Sequence, residues 1–150
     1  MGCPGVNLKH DSRLFIIFIA AMHIIGYILF IVHLALLLWS VGGFLEMVLP
    51  QVPWKPFTNP DFPLWVLVIH WGSVLLASIV FIYGYITHWS KTPQLMVIAY
   101  GMMALVCVLE TFGYMTSKTK YLAMGAEYVT YAVILLILFK SSYFVSYFKG

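Results

Sequence analysis

Charged side chains are scarce in this chain. Lys and Arg number 8 and Asp and Glu 5, together 9% of the residues, against 63% hydrophobic ones. A soluble globule of this size buries its apolar groups behind a charged surface, and this composition cannot supply one. The formal charge of +3 rests on too few groups to form a basic stripe along a phosphate backbone, which argues against a nucleic-acid partner. Cysteine is nearly missing too. Cys3 precedes the first apolar run and Cys107 lies inside the third, so no disulfide framework is expected.

Catalytic and cofactor signatures are absent as well. The sequence has no Walker loop, no GxSxG elbow and no Cys/His pair at catalytic spacing. It also lacks HExxH, ExxH, CxxC and the CxxCH haem-attachment motif. Its glycines stand singly or as the pair Gly42–Gly43, which suits close helix packing more than a phosphate cradle. The methionines, among them Met102–Met103, Met115 and Met124, suit flexible apolar filling better than a copper relay. Alternation of apolar and polar residues is missing, and with it the pattern of a membrane β-barrel.

What the chain does contain is long apolar runs, over residues 14–41, 64–88, 94–114 and 121–140. Each is long enough for a helix to cross a hydrocarbon core of ~30 Å, which takes about 20 residues. The expected fold is all-α: an integral membrane four-helix bundle with four transmembrane helices running up-down-up-down, residues 1–150 forming one domain. Between the first two runs lies QVPWKPFTNPDFP, Gln51 to Pro63. Pro53, Pro56 and Pro60 exclude helix there and predict a stiff outer loop over 50–63. The first apolar run continues to Leu49, and Gly42–Gly43 predicts a bend that lays Phe44–Leu49 and Glu46 near the interface. Trp65, Trp71 and Trp89 fit interfacial belts, and Lys140–Gly150 reads as an interfacial continuation of the last helix.

The opening MGCPGV invites a lipidation reading, but Val6 stands where a myristoylation pattern wants Ser or Thr. The first apolar run exceeds the core of a signal peptide and is expected to stay as an anchor. Orientation follows from the short loops. Lys9, Arg13, Lys91, Lys140 and Lys149 fall on one side, and Lys55, Lys118 and Lys120 on the other. Retention of Lys and Arg inside predicts both termini on the cytoplasmic or matrix-like face.

Polar residues inside the runs are the candidates for function. Glu46, His70, Glu110 and Glu127 fall at similar depth in the outer half, one on each helix, and form a predicted outer polar cluster. Glu110 and Tyr114 are four apart, as are Glu127 and Tyr131, so each acid can share a face with a tyrosine. His70 shares a face with Ser73 and Ala77. Such a cluster has three uses: a packing network, a divalent metal site, or a proton or small-ligand site with His70, Glu110 and Glu127 as catalytic candidates. Bis-histidine haem needs two histidines at equal depth on facing helices. His23 with His88 is the better pairing and His33 with His70 the looser one.

The leading functional expectation is an accessory or structural subunit of a larger membrane complex, contacting lipid and other membrane subunits. Trp39, Tyr83, Tyr85, Tyr143 and Tyr147 exceed what one aromatic belt requires. The alternative is a small membrane enzyme or a ligand-, metal- or haem-binding protein built on the outer Glu/His cluster.

Overall fold

The computed structural model describes residues 8–49 and 62–149, with side chains from Ile17 onward except Phe18. Among them are helices α1 (Leu8–Val48), α2 (Leu64–Thr87), α3 (Thr92–Gly113), α4 (Lys120–Lys140) and the short α5 (Ser142–Tyr147), and no strand. Four stretches are long and apolar enough to cross a membrane: Ile19–Val48 within α1, then α2, α3 and α4. The architecture is an all-α four-helix bundle, and the class it defines is a multi-pass integral membrane protein. Pro53, Pro56 and Pro60 lie outside the described residues.

Three of the spans match their expected bounds to within two residues. The first does not. It is one helix of 41 residues, unbroken through Gly42–Gly43 to Val48. At about 1.5 Å per residue that is about 60 Å, twice a hydrocarbon core. Gly43 serves contact instead of ending the helix: the indole of Trp71 lies where its side chain would be. A second departure is at the C-terminus. Ser141 is extended, with φ −71° and ψ 121°, so α4 stops at Lys140 and α5 is a separate helix.

Helix ends follow local chemistry. Pro63 precedes α2, and Pro93 sits in the first turn of α3, where its missing N–H costs nothing. The α2–α3 connection is tight because His88 takes a left-handed conformation, φ 54°, its N–H bonded to Gly84 O. Gly84 has no room for a side chain, since Thr92 packs onto it. Ser40, Ser73 and Ser78 are buried yet satisfied, each donating at 2.8 Å to a carbonyl of its own helix.

Helices pack most closely with their sequence neighbours, α1 with α2, α2 with α3, and α3 with α4. The core lies where all four meet, around Leu29, Ala77, Phe81, Met96, Ala99, Tyr100, Ile134 and Leu138, and Phe144 and Phe148 close one end. Burial is uneven. Of the apolar stretch of α4 only 11% is buried, against 39% in α2 and in α3, so α4 shows most of its surface outward.

Candidate functional site

The polar groups within the spans fall into three sets. The deepest is centred on His33, which is fully buried on α1. Its Nδ1–H donates to Leu29 O at 2.7 Å, which leaves Nε2 to accept from the Tyr100 hydroxyl at 2.9 Å. The imidazole stacks on Phe81 with centroids 4.0 Å apart, and Tyr100 stacks on Tyr131 of α4 at 4.9 Å. With both nitrogens engaged, His33 offers no lone pair to iron in this arrangement.

The second set lies toward the end where α3 connects to α4. His70 Nδ1 approaches Glu110 Oε1 at 2.7 Å, although that oxygen makes no aligned hydrogen bond. Glu110 is only 5% exposed. Across from them, the Tyr131 hydroxyl donates to Glu127 Oε2 at 3.0 Å, and Glu127 is exposed on the surface of α4. These four residues line one recess with Ser73, Val74, Met103, Val106 and Cys107. It leaves ≈20 Å³ for the centre of a water molecule, room for about one water.

This recess holds three of the four expected members of the outer cluster. Glu46 is buried on α1 and is not among its lining residues. Tyr114, expected beside Glu110, turns away: it closes α3 and its ring meets Phe62 and Trp65. Ser73 stays with His70, donating to its carbonyl. Cys107 and Tyr100 were not singled out by sequence reasoning as site residues. Cys107 lies three positions before Glu110 and so shares its face, a signal the helical phase does carry. The His33–Tyr100 bond spans 67 positions and left no local trace.

The third set sits at the opposite end, where α5 folds back. The Tyr143 hydroxyl meets His23 Nδ1 at 2.8 Å, and the Tyr147 hydroxyl donates to Tyr85 O at 2.8 Å. His88 Nδ1–H donates to Tyr147 O at 3.2 Å. His23 and His88, the better haem pairing on sequence grounds, thus each bind a residue of α5, and Tyr143 and Tyr147 occupy the route between them. Burial raises the phenol pKa of Tyr143, and lifts that of Tyr147 to about 12 with help from the neighbouring Tyr85 and Tyr143.

Among the described residues no three His, Cys, Asp or Glu side chains are grouped closely enough to hold a metal ion. No protein-family model, curated protein or solved structure matches the chain.

Proposed function

We propose that this protein is an accessory subunit of a larger membrane complex, holding a neighbouring transmembrane helix against α4. Both termini would face the cytoplasmic or matrix-like side. One observation carries the reading: Glu127 is exposed on the least buried span. Apolar surface on α4 is at ease in lipid, but a carboxylate a third of the way along the helix is not. The Tyr131 hydroxyl that donates to it is neutral, and charge left in hydrocarbon costs several kcal/mol. A partner helix on this face would bury the acid. Trp39, Tyr83 and Tyr121 are exposed as well, and rigid aromatic side chains of this kind suit contact with a partner.

The test is gentle extraction into lipid nanodiscs followed by mass measurement. The expected particle is heavier than one copy of this chain, and Glu127→Gln reduces the heavier species. A particle holding one copy alone would remove the proposal.

A second reading, a ligand-handling protein, draws on the recess itself, where His70, Cys107, Glu110, Glu127 and Tyr131 converge. An absorption spectrum and metal analysis of the purified protein separate this reading from a purely structural one.

A further inference from the structure

We propose that Tyr100 is a redox-active tyrosine, giving up one electron as its phenolic proton passes to His33, and that a column of rings through the bundle carries the oxidising equivalent to it from the α4 side. This goes beyond the reading of α4 as a contact surface and does not depend on it, because the pair lies inside the chain.

The first observation is a base set at the phenol. Tyr100 is 3% exposed on α3, and its hydroxyl donates at 2.9 Å to Nε2 of the fully buried His33. That is within reach of direct proton transfer. A phenol that lost an electron but kept its proton would be an unpaired cation in an apolar core, which is very costly. It is also so strong an acid that a neutral imidazole takes the proton even there. The bond from His33 Nδ1–H to Leu29 O, 2.7 Å, stays in place, so the imidazolium keeps a partner on each nitrogen.

The second is the same arrangement repeated next to it. The Tyr131 ring stacks on that of Tyr100, with centroids 4.9 Å apart and planes 14° from parallel. Its hydroxyl donates at 3.0 Å to Glu127, a carboxylate that also bonds the Cys107 thiol. Two stacked phenols, each bonded to its own base, exceed what packing needs. Phenylalanine fills nearly the same volume with no polar group to satisfy.

The third is continuity. On its other side the His33 ring stacks on Phe81 at 4.0 Å, and Phe81 stacks on Tyr85 at 5.9 Å. Tyr85 stacks on Tyr147 at 4.9 Å, and Tyr147 meets His88 at 4.2 Å. The rings thus run from α4, beside the recess, through the core to the α5 end.

The oxidant this arrangement suits is a lipid peroxyl radical. It takes one electron from Tyr131, whose proton moves to Glu127, and with a proton from interfacial water it becomes a hydroperoxide. Tyr100 then passes an electron to Tyr131, Glu127 returns the proton to Tyr131, and the Tyr100 proton goes to His33 Nε2. The product is a neutral Tyr100 phenoxyl radical beside the His33 imidazolium. A soluble one-electron reductant of the enediol class returns the electron through Tyr147 and Tyr85, and His33 gives the proton back.

To test this, the full chain in nanodiscs of polyunsaturated phosphatidylcholine is exposed to a lipid-soluble azo initiator, frozen, and read by high-field electron paramagnetic resonance. The expected result is one dominant phenoxyl signal, its g-tensor shifted by a hydrogen bond from the imidazolium, which ascorbate outside the discs quenches. Tyr100→Phe removes it. His33→Gln, which keeps an acceptor for the Tyr100 hydroxyl but not a base, removes it too, a loss that a purely structural bond would not produce. Tyr131→Phe leaves the Tyr100–His33 pair in place and lowers the yield. Tyr83→Phe, at an exposed ring outside the column, leaves the signal as it was. Helix content and unfolding curves show that each variant is folded, and if His33→Gln is not, the g-tensor of the unaltered chain reads the same bond. A signal that survives Tyr100→Phe, or one with no imidazolium hydrogen bond, overturns the redox role. An unchanged yield in Tyr131→Phe overturns the route from α4.

Discussion

The indole of Trp71 occupies the space that a side chain at Gly43 would need. A Cβ built there falls 2.6 Å from Trp71 Nε1 and closer still to two ring carbons. Trp71 is 4% exposed and so has little freedom to yield. This contact sets how near α1 and α2 approach, and close approach through glycine is a principal source of helix association where lipid removes the hydrophobic drive. Gly43→Ala is therefore expected to destabilise the bundle by about 1–3 kcal/mol. Gly72→Ala, where nothing lies within 4 Å, should be neutral or gain up to about 1 kcal/mol from helix propensity. Unfolding curves in mixed micelles distinguish the two.

Tyr100 supplies the donor that the fully buried His33 requires. Tyr100→Phe keeps the ring and its stacking on Tyr131 but strands Nε2 in an apolar core. The expected cost is about 1–2 kcal/mol, the range of buried hydrogen bonds within membranes. Adding His33→Leu should recover part of that loss. A double-mutant cycle on the same unfolding curves reads the coupling, and purely additive effects would contradict it.

The two acids of the recess should respond differently to amide replacement. Glu110 is buried against His70, so Glu110→Gln is expected to cost about 1–3 kcal/mol of bundle stability. Glu127 is exposed, and Glu127→Gln should change the stability of the isolated chain by less than about 0.5 kcal/mol while altering what it binds. Equal losses in both would mean that Glu127 is as firmly embedded as Glu110.

The contact of α5 with the bundle should weaken in alkali. The Tyr147 phenol is raised from its ordinary 10 to about 12, so the folded state holds that proton more tightly than the unfolded chain. Its contribution is complete below pH 10 and falls as pH rises from 10 through about 12. Ultraviolet titration of tyrosinate, with and without Tyr147→Phe, should show one late-titrating phenol missing from the variant.

Topology can be checked from the loop on the far side of the first two spans. In a background lacking Cys3 and Cys107, a cysteine at Thr58 should be labelled from outside by an impermeant reagent, and one at Ser90 only after permeabilisation. The reverse pattern would place both termini outside.

The number, type and order of the apolar spans were legible in the sequence, because an apolar run of about 20 residues has one economical structure in lipid. The Glu127–Tyr131 bond was legible for a similar reason: a spacing of four fixes both on one helical face. Rules of that kind act within a helix and end at its surface. The same spacing failed for Glu110 and Tyr114, because Tyr114 closes α3 and meets Phe62 and Trp65 instead. Gly42–Gly43 read as a bend, since glycine permits either a bend or a close contact and only the position of Trp71 selects between them. His23 and His88 were matched by depth, but depth leaves out what stands between two helices, and Tyr143 and Tyr147 stand there. The amino-acid order determined which groups enter the membrane and at what level. The rotation of each helix about its axis, set by side chains fitting across interfaces, decided that His70 meets Glu110, that Glu46 is not among the residues lining the recess, and that Glu127 reaches the surface.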